Sequence, residues 1–237
     1  MLLSTKILRK KSYPELISKL IQDVQVYAPV EKKQLVQYSR IQSPEEIADE
    51  YIIPRLSPKS LVFPRVEYLF SYTKTKDDLT IQSVDTAKFP ERVILGVRPC
   101  DAKGLEVLHV IFKDEPKDEI FEARVEKTTI IGLSCSKCDA YCFCPDGPGN
   151  ISGSDILLTK IDGDDFLVEI VTEKGMKLIN RYADLFEEQQ GQVNKEAFLA
   201  KMSFNIDQKQ LSQQMSQIFD SEIFEEQALR CLACIAK

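Results

Sequence analysis

Four of the seven cysteines in this 237-residue chain, Cys135, Cys138, Cys142 and Cys144, fall in the stretch CSKCDAYCFCPDGPG with the spacing C-x2-C-x3-C-x-C. A fifth, Cys100, follows the apolar run ERVILGV in the segment GVRPCD. Soft thiolates gathered from two loops suit zinc or an iron–sulfur cluster, and a C-x2-C pair also suits dithiol–disulfide chemistry. Structural zinc sites usually pair two separated C-x2–4-C knuckles. The tight pair Cys142 and Cys144 makes a poor knuckle, because alternate residues of an extended chain point apart. The single histidine, His109, lies on the apolar stripe of a helical pattern and reads as a core-edge residue, not a ligand. Catalytic zinc then lacks its usual histidines. A disulfide enzyme using Cys135 and Cys138 lacks the helix that normally starts within such a motif and lowers the thiol pKa. Chemically silent buried cysteines are a poor account of five thiols in two loops containing glycine and proline.

The segment PDGPGN supplies backbone able to turn tightly around a bulky anion and to offer N–H donors to its sulfurs. Together with four thiolates this favours a [4Fe–4S] cluster, and spacing alone leaves open which four of the five cysteines are its ligands. Near the end of the chain, RCLAC contains Cys231 and Cys234. A ferredoxin module reads C-x2-C-x2-C-x3-C-P, and Lys237 stands where its third cysteine belongs. This pair is half of a site or two free thiols.

The elements that must position these groups follow from apolar periodicity. SYPELISKLIQD predicts a helix with Ser12 as cap and Leu16, Ile17, Leu20 and Ile21 on one face. VQVYAPV and QLVQYSR read as strands, and SPEEIADEY as a capped helix start at Ser43 with Glu46 three residues on. SPKSLVFPRVEYLFSY, broken by prolines, reads as a loop feeding an edge strand. ERVILGV and KTTIIGLS are strands that each end in a cysteine loop, with the helix AKGLEVLHVIF between them. If those strands are neighbours in one sheet, both loops open at one edge and Cys100 faces the loop cysteines. DILLTKI and FLVEIV read as two strands around a turn, followed by the helix TEKGMKLINRYADLFEEQ. Strand–helix alternation implies an α/β or α+β fold: a mixed-sheet N-terminal domain with flanking helices over 1–185. A helical connector over 186–230 places Leu211, Met215, Ile218, Phe219 and Ile223 on one stripe, expected to pack on the domain. Residues 231–237 then form the stub of an incomplete ferredoxin-like module.

Composition is ordinary for a globular protein, with 43% hydrophobic and 29% charged residues. The net charge of −6 argues against non-specific nucleic-acid binding and suits docking on a basic patch. No apolar run approaches the roughly 20 residues that span a bilayer. No signal peptide is expected, so a cytoplasmic setting with reduced thiols follows. There is no G-x-G-x-x-G or P-loop pattern to support a nucleotide site, and flavin binding is left open.

Taken together, VILGVRPCDAKGLEVL, KTTIIGLSC, CFC, the Gly/Pro loop, SGSDILLTKIDGDDFLVEI and ALRCLAC resemble a family of iron–sulfur electron-transfer subunits. It is the 4Fe–4S dicluster-domain family shared by anaerobic sulfite reductase and the sulfhydrogenase beta subunit. The resemblance covers roughly residues 59–234. It implies that Cys100, Cys135, Cys142 and Cys144 hold one [4Fe–4S] cluster, with Cys138 a neighbour or substitute. It also implies a non-catalytic role in electron transfer. Electrons would pass between a diaphorase-like subunit bearing flavin and a catalytic sulfite reductase or hydrogenase subunit. The family continues into a ferredoxin module with two more clusters. RCLAC begins that module and IAK replaces its continuation, so the chain looks truncated against the family pattern. The rival expectations are a non-redox metal-binding or scaffold subunit, or else a thiol–disulfide oxidoreductase. Arg98 is expected to donate to the cluster or a partner acid, or to form a surface ion pair, and Asp101 to cap the helix that begins beside it.

Overall fold

The continuous apolar runs become the central strands of a mixed sheet, because strands buried on both faces need apolar residues at successive positions. The computed structural model describes residues 2–113, 116–144, 146–201 and 208–230. In chain order the elements are β1 (Ser4–Leu8), α1 (Tyr13–Asp23), β2 (Gln25–Lys32), β3 (Leu35–Arg40), α2 (Lys59–Val62), β4 (Phe70–Lys74) and β5 (Leu79–Ser83). They continue with β6 (Arg92–Val97), α3 (Pro99–Phe112), α4 (Glu119–Glu126), β7 (Thr128–Leu133), β8 (Ile156–Lys160), β9 (Phe166–Ile170), α5 (Glu173–Arg181), β10 (Phe186–Glu188), α6 (Gln208–Ile218) and α7 (Glu222–Arg230). The eight-stranded sheet has the order β10-β1-β9-β8-β7-β6-β2-β3. The four strands β2, β6, β7 and β8 run parallel, and antiparallel strands finish both sides. The α/β class expected from the sequence is therefore met.

Alternation along the strands sends side chains into two cores. Val93, Leu95, Ile131, Ile156 and Leu158 pack with Leu16, Ile17 and Leu20 of α1 and Leu178 and Ile179 of α5. Ile94 and Val97 pack with Ala102 and Leu105 of α3 and Phe121 of α4 on the other face. Each fully buried aliphatic side chain contributes about 1.5–3 kcal/mol. Leu95 pairs with Ile131 and Val97 with Gly132, so Gly96 is an extra residue at a bulge, held at φ +73°. The bulge flips Val97 to the α3 face and re-aims the strand end toward Cys100. The hydroxyls of Tyr51 (2.7 Å) and Tyr38 (3.3 Å) both donate to the Gly96 carbonyl.

Several local expectations change. Glu46 does accept from the Ser43 N–H at 3.0 Å, yet only a 3-10 turn forms over Pro44–Glu46. The next residues turn extended, and the Ala48 N–H is taken by the Pro29 carbonyl of β2 at 2.8 Å. β4 is no edge strand of the main sheet; it pairs with β5 in a separate ribbon whose residues are all exposed. β1, β10 and α4 are elements that the apolar pattern does not predict. β1 is short, with three polar residues before the buried Ile7 and Leu8, and it is held by pairing on both sides, with β9 and β10. The apolar stripe of α6 and α7 does not pack on the domain: Leu211, Met215, Ile218, Phe219 and Ile223 are all exposed.

Gly153, in the connection from β7 to β8, sits at φ +76° against α3, and a Cβ there would lie 2.0 Å from the Ala102 carbonyl oxygen. Left-handed backbone and overpacking both penalise a side chain. Gly153→Ala is expected to lower unfolding free energy by about 2–5 kcal/mol, read from the urea midpoint at unchanged slope.

Candidate functional site

The parallel pairing of β6 with β7 places two cysteine-bearing connections at the same sheet edge. Cys100 is the second residue of α3, after Pro99 at the first helical position, where its fixed φ suits a helix start. Cys135 lies just past β7, and Cys138, Cys142 and Cys144 follow in the long connection to β8. Among its described residues that connection carries no helix, so turns and side chains must satisfy its backbone. The Cys135 N–H donates to the Pro148 carbonyl at 3.0 Å, and its carbonyl accepts from the Ala200 N–H at 2.7 Å. The Asp139 N–H donates to Cys142 Sγ at 3.3 Å. Cys144 Sγ donates to the Gly147 carbonyl at 3.1 Å, while the Gly147 N–H returns to the Cys144 carbonyl at 3.1 Å. Gly147 holds φ +86°, the conformation that closes this turn. The Cys138 thiol points elsewhere and donates to the Lys201 carbonyl at 3.3 Å.

The electrostatics show which thiols share a neighbourhood. Cys100 keeps exposed surface, yet the protein around its sulfur pushes the thiol up to about 11, with Asp101, Cys135 and Cys144 adding to the rise. Burial also raises Cys135; the Arg98 charge opposes that, and Cys144, Cys142 and Cys138 reinforce it. Burial raises Cys144, with Asp146 and Cys142 adding to it. Cys142 is raised as well, chiefly by burial. Thus Cys100 from α3 senses Cys135 and Cys144 from the loop, and Cys135 senses the other three loop cysteines. Among the described residues no group of three or more His, Cys, Asp or Glu side chains is gathered tightly enough to hold a single metal ion. Cys231 and Cys234 lie outside the described residues.

Two expected roles change. Arg98 is not a surface ion-pair partner, and the N–H groups expected to reach the cluster or a partner acid go instead to backbone carbonyls; the residue is 7% exposed. Asp101 is not the cap, since Arg98 occupies that position; Asp101 bonds to the Ser57 side chain and is raised chiefly by burial. His109 is as read, partly exposed and bonded to Glu122 at 3.1 Å. Tyr51 is a residue that no local sequence pattern marks. Its ring lies 4.1 Å from the Arg98 guanidinium carbon. Beyond the ends of β6, β7 and β8, a cleft of about 780 Å³ is lined by residues that include Tyr13, Tyr51, Arg98, Ser134 and Lys137. Nothing in the sequence pattern reveals this cleft.

The chain is similar in sequence to a hydrogenase beta subunit. The relative is the sulfhydrogenase 2 subunit beta of Pyrococcus furiosus, 26% identical over 238 residues, covering 96% of this chain and 68% of that protein. The resemblance to the sulfhydrogenase beta subunit drawn from the motifs is thereby borne out. A solved structure of the xenon-derivatised F420-reducing [NiFe] hydrogenase complex from Methanosarcina barkeri matches with a TM-score of 0.48 and 11% identity, covering 78% of this chain and 81% of that one. No family model matches the chain.

The raised thiol gives a direct test in the metal-free protein. Thiolate, not thiol, is the nucleophile. Alkylation of Cys100 is expected to rise with a midpoint near pH 11, against the ordinary thiol value of 9.0, despite its exposure. The check is the rate of iodoacetamide labelling against pH, resolved by peptide mass spectrometry.

Proposed function

We propose that this chain is the iron–sulfur electron-transfer subunit of an oxidoreductase complex of hydrogenase or sulfite reductase type. The carrying observation is that Cys100 and the loop thiols Cys135 and Cys144, from two parallel strand ends, lie close enough for their charges to act on one another. Such an all-sulfur donor set fits a cluster better than a lone ion. A four-iron cube takes one thiolate per iron around its outside, whereas a single ion needs all ligands on one centre. Cys100, Cys135, Cys142 and Cys144 would hold the [4Fe–4S] cluster, with Cys138, whose thiol bonds to the Lys201 carbonyl and whose charge also acts on Cys135 and Cys142, a neighbour or substitute. When bound, the cluster supplies one-electron transfer, and the protein sets its potential and its distance to the next centre. Cys231 and Cys234 would belong to a second, ferredoxin-like site.

This chain's own residues would do three things. The turns at Asp139 and Gly147 aim the loop sulfurs, the first turn of α3 presents Cys100, and the exposed rings of Tyr141 and Phe143 flank the loop. Binding releases protons from the thiols, which their surroundings hold protonated in the metal-free state. The partners would be a flavin-bearing, diaphorase-like protein and the catalytic subunit of the complex, with a cytoplasmic location. Among the described residues no helix is long and apolar enough to cross a membrane. We further infer the domain limits 1–185, 186–230 and 231–237. The dithiol-enzyme alternative is disfavoured because Cys135 is raised, the reverse of an activated nucleophile.

Anaerobic purification with iron and sulfide assays and EPR tests the reading. About four irons per chain with matching labile sulfide, or more if a second site fills, is the expected result, and zinc without sulfide would sink it. Cys144→Ser should abolish the spectrum of this cluster and Cys138→Ser should leave it. A full cluster in Cys100→Ser would refute Cys100 as a ligand.

A further inference from the structure

Arg98 is a cation taken out of water without an anion to meet it. Its Nε donates to the Ile52 carbonyl at 2.8 Å, Nη1 to the Ser134 carbonyl at 2.9 Å, and Nη2 to the Tyr51 carbonyl. The guanidinium carbon stands 4.1 Å from the centre of the Tyr51 ring. Among the described residues no carboxylate forms an ion pair with it. Carbonyls and a ring face satisfy its hydrogen bonds and stabilise a cation, but they bring no net negative charge. Buried charges are ordinarily paired or hold metals, because an uncompensated one is costly. Asp101, three residues on, is bonded to the Ser57 side chain and forms no ion pair with Arg98. The thiols that would hold the cluster flank the arginine: Cys100 stands two residues after Arg98, and Cys135 directly follows the Ser134 carbonyl that Arg98 grips. A lysine could not replace this arrangement, since a point-like ammonium lacks the planar fork that reaches the carbonyls of Tyr51, Ile52, Leu133 and Ser134 on two segments.

We propose that Arg98 is a positioning residue and the fixed counter-cation of the thiolate centre: its fork ties the strand ends carrying Cys100 and Cys135 together, and its charge favours the more negative, reduced state. This rests on the cluster reading above for its electrostatic half. The positioning half stands on the hydrogen bonds alone. A buried positive charge beside a redox centre stabilises the form that has gained an electron, so removing it moves the reduction potential to more negative values.

The test compares the full chain with R98K and R98Q. Each protein is loaded anaerobically with iron and sulfide and titrated potentiometrically with EPR detection. Each is also alkylated without the cluster. R98K keeps the charge and loses the fork: iron content is expected to fall severalfold, while the cluster that does form keeps a potential near that of the wild type. R98Q loses the charge: its remaining cluster should titrate at a distinctly more negative potential, which a purely structural role would not produce. In cluster-free R98K, which keeps the charge, Cys135 should be alkylated several times faster than in the wild type; in R98Q the loss of the charge that lowers the Cys135 thiol works against that gain, so R98Q is read on its potential. Full iron content with wild-type alkylation in R98K overturns the positioning role, and an unshifted potential in R98Q overturns the electrostatic one. If R98Q yields no folded protein, R98M replaces it with the same two outcomes; if neither folds, the charge role is judged on R98K, where a potential shifted as far as the loss of a full charge would move it overturns that role. If the wild type takes up no labile sulfide while Cys135 still becomes reactive in R98K, the cluster reading fails and the positioning role stands.

Discussion

Everything at the site depends on the parallel pairing of β6 with β7. Two neighbouring parallel strands end at the same edge, so whatever follows each strand is delivered to one place. Here the residues that follow are Arg98, Pro99 and Cys100 on one side and Ser134 and Cys135 on the other. The bulge at Gly96 refines that delivery. A Cβ there would stand 2.5 Å from the Tyr51 hydroxyl, so only glycine allows the hydroxyl to reach the carbonyl it bonds. The flip at this point brings Val97 into the α3 core and leaves Arg98 facing the opposite strand end.

The connection that carries the other cysteines obeys different rules. A crossover between parallel strands is commonly helical, which satisfies its own backbone. The described residues of this one have turns, ties to Pro148 and Ala200, and bonds to side chains such as that from the Tyr141 N–H to the Asp139 carboxylate at 2.8 Å. Local turns hold shape cheaply but resist distortion less than packed helices do. In the proposed cluster site, sulfurs on such a loop would adjust around the bound group, while Cys100 on α3 would provide the rigid side.

The central strands are legible in the sequence because burial on both faces demands long apolar runs, and α1 is legible because burial on one side demands a stripe. The cysteine loops are legible for the same reason, as the ends of those runs. What escapes such reading depends on partners distant in the chain. β1 is held by its pairing with β9 and β10, and the capping box at Ser43 is overruled by a carbonyl of β2. The isolated glycine in ERVILGV is a signal for a bulge. The partners of Arg98 leave no such signal, since Tyr51 and Ile52 offer backbone oxygens, which every residue has.

The grip of Arg98 on the Leu133 and Ser134 carbonyls, at 3.4 and 2.9 Å, closes a ring of chain that contains α3, α4 and β7. Closing such a ring costs chain entropy, which the packing inside it must offset. Helix α3 packs against α4 inside it through Phe112 and Phe121, whose ring centroids are 4.9 Å apart. Shared packing of this kind is what makes two helices open as one unit, with their amide hydrogens expected to exchange together. The residue that neighbours the thiols is in this sense also the latch of a foldon.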